Sequence, residues 1–150
     1  MKRTIKFRGK KQTNGVWVYG CLVYSNEIDA SIYFQTGNGS VKTMDWVYVN
    51  PETVGQFTGL YDKNGKEIYD GDIIYSEFPD GSKTNCLIGW NEEKSCFGLM
   101  DEYNYRSKLE GYDFPRFDNA IFCNFLKHSK KFEVIGNIYD NPELLKGGEE

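Results

Sequence analysis

Over most of this chain apolar residues alternate with polar ones in short runs separated by Gly, Asn, Asp and Pro, the pattern of strands joined by tight turns. Residues 4–8 read as a first strand, with Ile5 and Phe7 toward a core and Lys6 and Arg8 outward. Asn14-Gly15 turns the chain into a second strand, 16–25, where Val16, Val18 and Leu22 share one face and Trp17, Tyr19, Cys21 and Val23 the other. A strand apolar on both faces is expected to be covered on both, so it either sits between two layers or meets another subunit. Residues 28–35 and 40–49 are the arms of a hairpin across Thr36-Gly37-Asn38-Gly39, with Met44, Trp46 and Tyr48 opposite Val47 and Val49. Asn50-Pro51 ends this N-terminal β lobe, residues 1–50.

A second lobe, 55–142, starts with a turn whose type follows from charge. A two-residue Asn64-Gly65 loop would set Lys63 opposite Lys66 and Asp62 opposite Glu67, two like-charge pairs. A three-residue loop instead lets Asp62 open a type I turn, puts Gly65 in the left-handed position of a bulge, and pairs Asp62 with Lys66 and Leu60 with Ile68. The bulged hairpin is therefore expected. Its strands are 56–61 and 66–69, and Tyr69-Asp70-Gly71-Asp72 turns into a strand at 73–78. Further strands at 83–90, 95–100 and 132–139 follow turns at Phe78-Pro79-Asp80-Gly81 and Asn91-Glu92-Glu93-Lys94. The expected fold is all-β, an N-terminal hairpin lobe followed by an open barrel of the SH3 kind.

The stretch 101–131 interrupts this regularity. Tyr103, Tyr105, Tyr112, Phe114 and Phe117 stand among charges, too irregular for one strand and too aromatic for a solvated loop. They are expected to form an excursion that packs on the barrel or on a neighbour. Ile121, Phe122, Phe125 and Leu126 suit a short helix over 118–127 capped by Asp118. Asn141 with Pro142 suits a cap and first position of a helical turn. The tail 143–150 ends in Gly147-Gly148-Glu149-Glu150, expected to be disordered.

Several segments together resemble the YopX-type proteins, a family encoded in bacteriophages and prophages. They are Ile5-Lys6-Phe7-Arg8, Val16-Trp17-Val18-Tyr19-Gly20, the run from Pro51 to Leu60, the run from Asp62 to Asp72, and Val134-Ile135-Gly136-Asn137-Ile138-Tyr139-Asp140-Asn141-Pro142. The resemblance implies an all-β fold, assembly into a homo-oligomer and a phage origin. It brings neither catalytic residues nor a cofactor.

Composition changes little in this picture. At 150 residues the chain has room for one domain, or two small lobes, burying a little under about 70% of its unfolded surface. No apolar run approaches a membrane span and the basic N-terminus lacks a signal-peptide core, so a cytoplasmic protein of the host cell, away from membranes, is expected. Cys21, Cys86, Cys96 and Cys123 lack paired spacing and His128 is the single histidine, so no metal is expected and the cysteines read as reduced, mostly buried thiols.

Charge adds a candidate surface. The first eleven residues hold six of the 18 basic residues, Lys2, Arg3, Lys6, Arg8, Lys10 and Lys11, and no acid. Beside Trp17 and Tyr19 this basic arm suits phosphate backbones and stacked bases. It equally suits the acidic body of its own or an adjacent subunit, since the rest of the chain sets 12 basic against 22 acidic residues. Asp62, Glu67, Asp70 and Asp72 cluster near the hairpin, where carboxylates can hold a cation or act as acid and base. Turn geometry explains them more simply, because Asp side chains bond their own backbone at such turns.

Three function classes follow. The first is a non-enzymatic homo-oligomer that acts by binding a host or phage protein, with Tyr103, Tyr105, Tyr112 and Phe114 as candidate oligomer or partner surface. The second is nucleic-acid binding through Lys2, Arg3, Lys6, Arg8, Lys10, Lys11, Trp17 and Tyr19. The third, an enzyme using the acidic turns, has no catalytic residue or cofactor to support it.

Overall fold

A computed structural model describes residues 3–111 and 117–146. Lys2, Tyr112, Phe114 and the 147–150 tail lie outside the described residues. The chain divides into two units, Met1–Gly59 and Leu60–Glu150.

The first unit is built on β1 (Phe7–Lys10), β2 (Trp17–Tyr24), β3 (Ala30–Thr36), β4 (Thr43–Val49) and β5 (Gly55–Tyr61), which runs past Gly59 into the second unit. Their order is β4-β3-β2-β1-β5, each neighbour antiparallel. The first strand starts at Phe7 rather than Thr4, and Ile5, expected in the core, is 62% exposed. Ala30, Ile32 and Val49 are fully buried, with Phe7, Val18, Leu22, Phe34 and Val47 packed on them. On β2 and β4 the core-facing set is one of the two faces that alternation separates, Val18 with Leu22 and Val47 with Val49, although Val16 of the same parity is exposed. At Gly20 a Cβ would lie 2.0 Å from the Tyr33 carbonyl oxygen, so β3 passes β2 at a distance only Gly permits. Asn50 accepts the Glu52 N–H at 3.1 Å at the start of a 3-10 turn, Pro51–Thr53. Thr53 then ties that turn to β1 by accepting the Lys10 N–H at 2.9 Å.

In the second unit the Asp62 turn has the expected bulged form. Gly65 donates to the Asp62 carbonyl at 3.1 Å, Asp62 donates to the Lys66 carbonyl at 2.8 Å, and Gly65 has φ +81°. β6 (Glu67–Tyr69) follows, then β7 (Asp72–Glu77), β8 (Lys83–Asn91), β9 (Cys96–Asp101) and β10 (Lys131–Asn137). The last four form an open antiparallel sheet in the order β10-β7-β8-β9, without closure into a barrel. Alternation along β10 is broken by a register shift between Val134 and Gly136, which leaves Ile135 exposed.

The sheet is covered on both faces. One face buries Ile74, Cys86, Ile88 and Leu99 against Phe122 of α2 (Asn119–His128), the helix expected at 118–127, with Asp118 accepting the Ile121 N–H at 2.9 Å. The other face buries Ile73 and Leu87 against Leu145 of a 3-10 turn, Pro142–Leu145. Asn141 precedes that turn but makes no side-chain cap to it. The irregular stretch after Asp101 forms a second helix that the pattern did not suggest, α1 (Glu102–Leu109). Asp101 caps it at the Asn104 N–H (2.8 Å), Arg106 lies 3.7 Å from Glu102 one turn back, and Tyr105 packs on the Ile73 and Leu145 cluster. None of its residues is buried, so local caps and pairs support it more than an apolar stripe does.

Candidate recognition surface

Alternation along the first sheet sorts side chains between the core and an outward face. The register sets Arg8 opposite Tyr19, Lys10 opposite Trp17, Cys21 opposite Tyr33 and Tyr33 opposite Trp46. All of these therefore project to one face, continuous over four strands. At its β1 end the Arg8 guanidinium lies 4.6 Å from the Trp17 ring centre, with the Lys10 ammonium at 5.5 Å from the same ring and Lys6 at 5.6 Å from Tyr19. Such pairs are worth about 0.5–2 kcal/mol each as they lose water. At its β4 end Tyr33 stacks on Trp46 at 6.0 Å, and Trp46 meets Tyr48 edge-on at 5.0 Å.

Several expectations change here. Strand β2 is expected to be covered on both faces, by a second layer or by another subunit; Val18 and Leu22 pack on the core, whereas Tyr19, Cys21 and Val23 on the other face are exposed within this chain. Arg8 projects to the outward face as its parity predicts, yet it is only 5% exposed. Its planar cation stacks on Trp17, and a guanidinium gives up its water more easily than an ammonium does. Of the remaining basic candidates, Arg3 is exposed and Lys6 and Lys10 stand on the outward face. Lys11 lines a cavity of about 310 Å³ at the end of β1, together with Lys10, Gln12, Gly15, Asn50 and Pro51.

Met44, Trp46 and Tyr48 (59%, 44% and 49% exposed) and Tyr33 extend the face, although none of them was a sequence candidate. Their shared parity was visible along the chain. Their junction with Trp17 and Tyr19 depends on strand register, which parity alone does not give.

The second unit sorts its candidates differently. Tyr103 is exposed, whereas Tyr105 is partly buried and packs on the apolar cluster around Leu145. Of the acidic residues, Asp62 and Asp72 are taken up by backbone. Asp62 is buried and accepts the Asn64 and Lys66 N–H groups on Oδ1 (2.8 and 2.9 Å) and the Val134 N–H on Oδ2 (3.0 Å). Asp72, also buried, accepts the Tyr69 N–H at 2.7 Å, while Glu67 accepts the Tyr69 hydroxyl at 2.6 Å. Among the described residues no three His, Cys, Asp or Glu side chains converge as a metal site. Cys86 is buried and burial pushes its thiol up to about 12, but Cys21 and Cys123 are exposed, against the expectation of mostly buried cysteines. Among the described residues no helix is long and apolar enough to cross a membrane.

No curated protein matches the chain. Among solved structures it is similar to protein EF1440 from Enterococcus faecalis, with 23% identity and a TM-score of 0.58 over 96% of this chain and 99% of that one, a likeness of fold. The model of the YopX protein family matches residues 6–146, nearly the whole length and every strand described above, and the chain therefore belongs to the YopX family.

Proposed function

We propose that this is a non-enzymatic protein of phage or prophage origin that acts in the host cytoplasm by binding protein, first of all further copies of itself. One observation carries the reading: Met44, Trp46 and Tyr48 stand exposed in a row on one face of β4, beside the stacked Tyr33. Aromatic residues and Met are enriched at the cores of protein interfaces, and the row of rings rather than a strand edge is what invites another chain, because the end of β4 already bonds the end of β1 through Gln12 to Tyr48 and Asn50 to Lys10. A second copy suits the face on charge as well. By sequence the Met1–Gly59 unit carries seven basic and four acidic residues, and the Leu60–Glu150 unit 11 basic and 18 acidic, so opposite units of two copies attract. The acidic turns support no enzymatic alternative, because Asp62 and Asp72 serve their own backbone.

Light scattering of the full chain tests this. A mass above that of one chain at micromolar concentration is expected, reduced by Trp46→Glu with the circular dichroism spectrum unchanged. A strict monomer, or an assembly indifferent to that charge, overturns the reading.

A further inference from the structure

We infer that the β1 end of the open face, with the cavity beside it, is a site for the phosphate backbone of single-stranded nucleic acid. This rests on the reading of that face as a recognition surface, and uses its β1 and β2 side, where the end of β1 meets the end of β4. Three independent features converge there.

The first is sign. None of the outward positions on β1, β2, β3 and β4 is acidic, and the unit carrying them is net positive although the whole chain is net −4. A negative backbone therefore meets a locally favourable potential that the overall charge conceals.

The second is shape. The cavity of about 310 Å³ is lined by Lys10, Lys11, Gln12, Gly15, Asn50 and Pro51, with no carboxylate in its wall. Its frame is fixed by backbone bonds: Lys11 donates to the Val16 carbonyl (2.9 Å), Asn50 to that of Lys10 (2.8 Å) and Gln12 to that of Tyr48 (3.1 Å). Two lysines and two amides in a concave frame suit a phosphate group better than an apolar ligand.

The third is continuity. Lys10 belongs to both places, lining the cavity and reaching toward the Trp17 ring. A phosphate held between Lys10 and Lys11 sets the adjoining nucleotide toward Tyr19, whose ring is 44% exposed and gives an unpaired base an aromatic surface to stack on, while Trp17 is already taken up by Arg8 and Lys10. A duplex keeps its bases stacked inside, which is why the single strand is the form expected.

The test is anisotropy of a short labelled oligothymidine against the full chain across a salt series. The single strand is expected to bind more tightly than the same sequence as duplex, and less tightly as salt rises. Lys11→Glu should weaken binding about tenfold and flatten the salt dependence by about one charge. Tyr19→Ala should weaken binding about tenfold through lost stacking. Lys42→Glu, the same charge change on the β3–β4 loop outside the cavity, should have a much smaller effect. Absence of salt-sensitive binding, equal losses in Lys11→Glu and Lys42→Glu, or displacement of the strand by an equal concentration of inorganic phosphate each overturns the inference. Light scattering on the same samples keeps the two readings apart. If Trp46→Glu splits the assembly while no oligonucleotide binds, the phosphate site alone falls; if the mass is also unmoved, the recognition face falls with it.

Discussion

The Asp62 carboxylate accepts the backbone N–H of Val134 at 3.0 Å, across 72 positions of sequence. Its other oxygen already holds the Asn64 and Lys66 N–H groups, so one buried side chain closes the bulged turn and docks β10 beside it. Hydrogen bonds to an ionised acceptor contribute about 1.5–3 kcal/mol each, and losing the acceptor leaves buried donors unpaired. Asp62→Ala should therefore lower unfolding stability by on the order of 3 kcal/mol. Asp62→Asn keeps an oxygen for the turn but turns an amide toward one of the three donors, and should cost roughly half as much. Urea midpoints of the two variants check the order; equal and small effects would contradict it.

That turn was legible in the sequence because its determinants are local: a carboxylate, a Gly and two like-charge pairs to avoid within six residues. Helix α2 was legible for the same reason, through Asp118 and the spacing of Phe122, Phe125 and Leu126. Helix α1 was not, since Tyr103 is exposed while Tyr105 packs inward and the apolar positions trace no stripe. Its start and stop signals were present in Asp101 and Gly111, whose φ is +86°. The candidate face was half legible. Trp17 and Tyr19 stood out beside a basic arm, but only the pairing of Tyr33 with both Cys21 and Trp46 joins them to β4. The overall acidity of the chain also obscured a first unit that is basic by itself.

Gly89 and Gly98 face each other across β8 and β9, and Phe117 occupies the space that their missing side chains leave. A Cβ at Gly89 would lie 2.1 Å from the Phe117 ring, and one at Gly98 would lie 2.6 Å from the Phe117 backbone. Gly98→Ala should be the more damaging, because that backbone continues into the two 3.0 Å bonds between Leu99 and Asp118 and cannot swing aside like a ring. A loss of about 2–3 kcal/mol is expected for Gly98→Ala and a smaller one for Gly89→Ala. Thermal unfolding ranks them, and the reverse order would show that the ring is the more firmly held.

The cysteines report on the open face. Cys21 and Cys123 are exposed and should react readily with an aromatic disulfide reagent at mildly alkaline pH. Cys86 should react only on unfolding, because burial both blocks access and pushes its thiol up to about 12. Cys21 is opposite Tyr33 on the outward face, so association there should slow its labelling several-fold and leave Cys123 unchanged. Cys21→Ser identifies the trace; equal protection of both thiols would place the contact elsewhere.

Glu77 gives the fold a sensitivity to acid. The Tyr75 hydroxyl donates to its carboxylate at 3.1 Å, and Lys131 and Lys130 lie at 3.6 and 3.8 Å, which together hold the carboxyl below its ordinary value of 4.5. A carboxylate depressed on folding stabilises the native state above its unfolded pKa, and the contribution disappears as pH falls through the folded value. At neutral pH Glu77→Gln should therefore be modestly less stable than the parent, since both lysines stay near solvent where such pairs are weak. As pH falls below about 4.5 the two stability curves should converge. Tyr75→Phe should narrow the gap from the other side by removing the donor that contributes most to the shift. Denaturation of the three proteins from neutral pH into the acid range decides the matter, because a gap that stays constant with pH would assign the effect of Glu77 to packing instead of charge.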